Sequence, residues 1–391
     1  MTAQPSIWTR DFTLLVLGAF LQGFSFYCLL PALPLFITDV LDGSSDEVGL
    51  VLGSFSLTAV LLRPFAGYLL DRYGRRVWQL WSSGLFAAFM LLYFFADSLQ
   101  MLTLCRLLHG AAWGMIGVAS ATVVADLVPA TRRGSAMGYY GLAMPLALSI
   151  GPMLGAWVLH DTRYDLLFAL CFVLAVGAWL CFFAVRTPTV KAPGIRFEWS
   201  RLFELKVLRL FVFMLLLCVG FGGWVTFVPL YARELGFASS GPLFSSYAVA
   251  VLAIRFWGGR WYDRFGPKSP IFAGLAFLMA GWLLLSGATG TVMALVGATL
   301  LGLGFGVVMP PFNAMAIDLV TADRRGAANA LVFTAYDIGI AIGSVALGYA
   351  AVVWDLSAIF LISGSLTAVA TLTFGAWTLP HFRKYRLQSS L

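Results

Sequence analysis

From Phe172 to Val185 the chain reads FVLAVGAWLCFFAV, with no charged residue in the run. Twelve apolar segments of this kind follow one another, at roughly 12–37, 47–70, 77–95, 98–126, 135–160, 164–185, 208–231, 241–262, 269–288, 291–319, 327–353 and 356–378. Each is long enough to cross a bilayer core, which takes about 20 helical residues. Lipid offers no water to satisfy backbone amides and carbonyls, so a continuous apolar run in it must be helical. A barrel would instead show short alternating segments. Composition agrees: 60% of the residues are hydrophobic and 11% are charged, against about 25% charged in soluble domains. The expected fold is an all-α membrane protein with twelve transmembrane helices.

A duplication organises those helices. RPFAGYLLDRYGRR at 63–76 returns as RFWGGRWYDRFGPK at 255–268, which matches Arg63 with Arg255, Gly67 with Gly259, Asp71 with Asp263, Arg72 with Arg264 and Gly74 with Gly266. The same offset of 192 positions pairs Gly110 with Gly302, Gly114 with Gly306, Asp126 with Asp318 and Gly151 with Gly343. The chain therefore reads as two pseudo-symmetric six-helix bundles, 1–185 and 208–391, joined by a linker over 186–207. The linker's second part places Trp199, Leu202 and Phe203 on one helical face, which fits a short interfacial helix or a solvated tether.

Of the 25 Lys and Arg, 20 fall in alternate loops and termini, while the opposite loops hold only Arg163 and Arg233. This bias puts both termini in the cytoplasm of a multi-pass plasma-membrane protein, a bacterial inner membrane being the natural setting for so bare a core. The net charge of +7 sits in these short loops and does not form a nucleic-acid surface. The five cysteines lie in apolar runs without CxxC spacing and read as inert. With three histidines, no HExxH pair, no phosphate loop and no converging Ser-His-Asp set, neither a metal, a cofactor nor an enzyme is expected. A monomer is expected in the bilayer.

Gly67-x-x-x-Asp71-Arg72-x-Gly74-Arg75-Arg76 between helices two and three, together with its second copy, resembles the loop motif of the major facilitator superfamily. Arg106-x-x-His109-Gly110 in helix four is similar to that family's R-x-x-Q-G motif, with His in place of Gln. Gly151-Pro152-x-x-Gly155-Ala156 in helix five resembles the G-P-x-x-G-G motif of its drug and metabolite antiporter branch. The resemblance spans the chain and implies secondary transport, with export favoured by the helix-five motif.

Physical reading of the same residues yields roles for them. Asp71 and Asp263 end helices at the cytoplasmic surface, where a carboxylate can face a helix N-terminus and hold an inner gate shut. Arg72, Arg75 and Asp126 extend this charge cluster in the first half, and Arg264 and Asp318 do so in the second. The alternative is that the cations merely mark topology. Gly67 and Gly74 fit close helix approach and a tight turn.

Asp337 lies about ten residues into helix eleven. A carboxylate at that depth costs several kcal/mol when charged and is suited to carrying a proton; the alternative is a structural hydrogen bond. Arg106, His109 and Trp113 share a face of helix four, so Arg106 and His109 join Asp337 as coupling candidates, His109 either titrating near neutral pH or serving the packing. Helix one holds Gln22 and Tyr27 but no acid, unlike many exporters that this sequence resembles. Tyr27, Gln22, Trp113, Tyr139, Trp224, Asn313 and Tyr336 are the expected substrate-cavity residues. The expected function is proton-coupled efflux of a small amphiphilic or drug-like compound by alternating access. Proton-linked uptake of a metabolite and lipid flipping are the alternatives.

Overall fold

The computed structural model describes residues 7–128, 136, 139–159, 163–186, 205–320 and 325–386. Within the helices the side chains of Gly67, Asp71, Arg72, Asp126, Gly259 and Asp263, among others, lie outside the described residues, as does the linker stretch 187–204. The protein is all-α. In order it forms α1 (Arg10–Cys28), α2 (Ala32–Asp39), α3 (Ser45–Tyr73), α4 (Arg75–Leu91), α5 (Leu99–Leu127), α6 (Ala143–Val158), α7 (Tyr164–Ala184), α8 (Leu208–Glu234), α9 (Gly241–Phe265), α10 (Lys268–Ser286), α11 (Thr291–Asp318), α12 (Arg325–Val353), α13 (Leu356–Thr373) and α14 (Leu379–Tyr385). Among the described residues, ten spans are long and apolar enough to cross a membrane, and two shorter apolar helices, Leu146–Val158 and Gly241–Ile254, fall where the fifth and eighth crossings are expected.

The first crossing is not one continuous helix. Pro31 has no amide hydrogen to extend α1 and its ring collides with the preceding turn, so Leu29 and Leu30 close on Phe26 and Tyr27 at 3.2 Å and the chain restarts as α2. The last crossing likewise passes through a π turn at Phe374–Thr378 before α14. A single wide turn of this kind re-aims the helix, and here it precedes Pro380.

Two compact units result. The first comprises Met1–Ala32 with Leu57–Phe197, and the second Leu33–Ser56 with Glu198–Leu391. In the first, α1 packs on α6 and α7, and α4 packs on α5 and α7. In the second, α8 packs on α12 and α13, and α10 packs on α11 and α13. The second pattern repeats the first in chain order, so the duplication in sequence is also one in packing.

Glycine sets those contacts. A Cβ on Gly114 of α5 would strike the Ala59 carbonyl on α3, and one on Gly306 of α11 would meet the Val251 backbone of α9 at 3.2 Å. A Cβ on Gly151 of α6 would come 2.7 Å from the Tyr27 Cβ of α1, and one on Gly343 of α12 would strike the Val219 carbonyl of α8. Ala59 and Val251, like Tyr27 and Val219, are separated by the same 192 positions as the glycines. Lipid tails are as apolar as the helix surfaces, so association in a membrane depends on close backbone approach at small residues. The motif turns repeat as well: Gly74 and Gly266 have φ of 93° and 69°, where a side chain would be strained.

Outward-facing side chains complete the picture. Trp157, Val292 and Leu372 are all more than two-thirds exposed, a pattern fitted to lipid contact rather than to water. Gly155→Val and Gly343→Val, which drive a methyl-bearing carbon into the carbonyls of Cys28 and Val219, should each lower thermal stability in detergent by about 1–3 kcal/mol. Gly117→Ala, with nothing within 4 Å of the added carbon, should leave the melting midpoint unchanged or slightly raised.

Candidate functional site

In the first unit, Arg106, His109 and Trp113 share one face of α5. Arg106 is 2% exposed and His109 is fully buried. The Tyr93 hydroxyl, at the end of the third crossing, lies 3.0 Å from His109 Nδ1. Phe86 packs on the imidazole with ring centroids 4.0 Å apart, and the Arg106 guanidinium stands 5.7 Å from the centroid of Phe26. One turn further along, Trp113 meets Phe26 at 4.6 Å and Tyr27 at 6.3 Å. At Gly117 the same face is open, with nothing within 4 Å of a would-be Cβ. The face thus runs from a buried charged end to an open one. Burying a guanidinium among aromatic rings compensates its lost hydration in part through the ring faces.

The expected cavity residues of this unit divide into three. Tyr27 and Trp113 come together with Arg106 and His109. Gln22 is fully buried on α1, and neither amide atom makes a hydrogen bond among the described residues. Tyr139 sits elsewhere, exposed and tilted against Trp8 with ring centroids 5.0 Å apart.

In the second unit Asp337 is half-buried on α12 and lies within electrostatic reach of Cys218 on α8. The neighbouring Tyr336 hydroxyl contacts the Met309 sulfur on α11. One turn beyond Met309, across Pro310, Asn313 is exposed. Trp224 of α8 is fully buried among Phe244, Tyr247 and Phe360, so it belongs to the packed interior and not to an open surface. Asp318 accepts a hydrogen bond from the Tyr262 hydroxyl at 3.0 Å and pairs with Arg386 at 3.3 Å, while Arg264 lies over the ring of Phe265 at 5.3 Å. Arg75 begins α4 directly after the Gly74 turn. Pro152 lies inside α6 between the two buried glycines Gly151 and Gly155.

Sequence reasoning missed a clasp at the opposite ends of the helices. Arg233, at the end of α8, donates from both terminal nitrogens to Asp39 at the end of α2, at 2.8 and 2.6 Å. Beside it the start of α3 lies against α12: a Cβ on Gly49 would strike the Ser344 carbonyl, and one on Gly53 would come 2.7 Å from Val345. Ser344 also shares a hydrogen bond of 2.8 Å with Thr226. The sequence held one clue, since Arg233 is one of only two cations in the loops of that side. Tyr93 and Phe86, which complete the surroundings of His109, carry no periodic signal linking them to helix four.

No group of three or more His, Cys, Asp or Glu side chains able to hold a metal occurs among the described residues. Tyr93→Phe would leave His109 Nδ1 buried without that partner and should cost about 1–3 kcal/mol of thermal stability. Tyr139→Phe should leave the melting midpoint unchanged, and the two can be compared by the same detergent melt.

Comparison with known proteins adds family context to this arrangement. A family model described as Major Facilitator Superfamily matches residues 15–275 and 238–389. The chain is 31% identical over 289 residues to the multidrug resistance protein MdtG of Salmonella arizonae, covering 69% of this chain and 71% of the relative. It is 24% identical over 345 residues to the staphylopine export protein of Staphylococcus aureus, covering 84% and 86%. Among solved structures, a D-xylose-proton symporter superposes with a TM-score of 0.78 at 18% identity, covering 98% of this chain and 100% of that one. The human organic anion transporter MFSD10 superposes with a TM-score of 0.74 at 19% identity, covering 95% and 100%.

Proposed function

Because the chain belongs to the major facilitator superfamily, a family of membrane transporters, we propose that it is a proton-coupled exporter of small amphiphilic or drug-like compounds working by alternating access. One observation carries the coupling: a carboxylate, Asp337, lies well inside a membrane-crossing helix. Its charge is expensive at that depth, and binding a proton removes the cost. Proton occupancy of Asp337 then favours one orientation of the transporter, and substrate favours the other. Export is the proposed direction because two relatives are named for multidrug resistance and export.

In this reading Tyr27 and Trp113 meet substrate on the first unit, and Tyr336 and Asn313 do so on the second. Arg106 supplies the positive charge of the first unit, and His109 beside it is the second coupling candidate there. Gly67, Asp71, Arg72, Gly74, Arg75 and Asp126, with Gly259, Asp263, Arg264 and Asp318, form the inner gate, on the cytoplasmic side together with both termini. The Asp39–Arg233 pair is the outer gate in its shut state. Breaking it allows the start of α3 to leave α12.

Two experiments test these points. In inverted membrane vesicles, an acid-inside gradient should drive accumulation of a lipophilic cation by the wild type. Asp337→Asn should reach the membrane and melt normally yet lose that accumulation; undiminished gradient-driven transport in the variant refutes the coupling role. Depletion of the compound from intact cells supports export, whereas accumulation assigns uptake. For the outer gate, a cysteine at Ser344, a site only 1% exposed, reports opening to a membrane-impermeant maleimide. Asp39→Ala should speed its labelling up to about fivefold, in line with the ~1 kcal/mol upper value of exposed ion pairs. An unchanged rate would mean that the pair does not hold the gate.

A further inference from the structure

A second polar site lies in the second unit, away from Asp337. Where α9 turns into α10, a cavity of about 280 Å³ opens against the C-terminal helix α14. Its walls carry three cations, Lys268 at the first position of α10 and Arg383 and Arg386 at the end of α14, over an apolar floor of Leu379 and Phe382, which are 5% and 2% exposed. Arg386 is held by Asp318 at 3.3 Å, and that carboxylate is also taken by Tyr262. Lys268 and Arg383 are exposed, and no hydrogen bond or ion pair engages either among the described residues.

Two further features narrow the ligand. The first turn of α10 opens at this cavity without a side chain capping it, which adds the partial positive charge of a helix N-terminus to the three side chains. Beside the cavity, and sharing Phe265 and Lys268 with it, lies an open groove lined further by Ser269 and Phe272. Phe265 is 61% exposed at this junction. A cationic cup that adjoins an aromatic groove on the outside of a membrane protein matches one chemistry: an anion covalently joined to a hydrocarbon chain. The cup is slightly smaller than the roughly 300–1,000 Å³ of drug-sized ligand pockets, as suits a headgroup alone. A free phosphate ion has no use for the apolar floor or the groove.

We propose that this cup binds an anionic phospholipid of the leaflet that borders the Lys- and Arg-rich loops. The phosphodiester sits between Lys268, Arg383 and the α10 N-terminus, and an acyl chain lies along Phe265 and Phe272. Basic pockets beside membrane helices are suited to such headgroups, each nearby cation strengthening binding about fivefold. Arg386, positioned by Asp318, forms the third wall. The bound lipid thereby joins the α9–α10 turn to α14, beside the path by which Arg386 reaches Asp318 and, through it, Tyr262 of α9.

The test is lipid titration of the delipidated, full-length protein by native mass spectrometry, using phosphatidylglycerol, phosphatidylcholine and inorganic phosphate as probes. Wild-type protein should retain phosphatidylglycerol over phosphatidylcholine. K268Q/R383Q should weaken phosphatidylglycerol binding on the order of twentyfold, about fivefold for each charge removed, while leaving phosphatidylcholine unchanged. R163Q, in a loop of the opposite side, should match the wild type. Three results overturn the proposal: undiminished phosphatidylglycerol affinity in K268Q/R383Q, equal loss of both lipids in that variant, or displacement of the lipid by an equal concentration of inorganic phosphate.

Discussion

The structure depends on backbones approaching one another where glycine leaves no Cβ in the way. In water, burying leucine and phenylalanine would hold a bundle together; in lipid the same side chains gain little by leaving the solvent, so contact distance and packing decide which helices pair. Gly114 against Ala59 and Gly151 against Tyr27 define the first unit, and Gly306 against Val251 and Gly343 against Val219 define the second. The two sets are the same contacts written twice. These four contacts hold their helix pairs too close to slide past one another.

Against that rigid frame the polar residues stand out. Arg106 and His109 are sealed within the first unit by Tyr93, Phe26 and Phe86, whereas the face they share opens at Gly117. Asp337 belongs to the second unit, on a helix fixed to α8 through Gly343. Buried ionisable groups in membrane helices are costly and rarely retained without a task. The Asp39–Arg233 clasp is different in kind: both partners are partly exposed, at 32% and 55%, so its strength is modest. For the proposed outer gate, which would open in every cycle, a weak bond serves better than a strong one.

Much of the fold was legible in the sequence because apolar run length and the 192-residue offset are global signals that no local detail overrides. The break at Pro31 and the π turn at Phe374 were not, since run length carries no information on where a helix re-aims inside lipid. The turn role of Gly74 and the common face of Arg106, His109 and Trp113 followed from spacing, whereas the burial of Arg106 and His109 within their unit did not. Tyr139 and Trp224 show the limit of the same logic. An aromatic residue on a helix expected to line a cavity can equally face out, as Tyr139 does beside Trp8, or fill the interior, as Trp224 does among Phe244 and Phe360. The Asp39–Arg233 pair joins residues 194 positions apart in sequence, and no period connects them.

The central claim is that movement of substrate and movement of protons are one process in this protein. It is tested most directly by reconstituting the purified chain in liposomes with a pH-sensitive dye inside and adding lipophilic cations and neutral drugs without an imposed gradient. The account predicts that a transported compound entering the liposome drives protons out in step with it, with both fluxes lost together when Asp337 is neutralised. Substrate flux with no accompanying proton flux would contradict it and leave Asp337 a structural residue of α12.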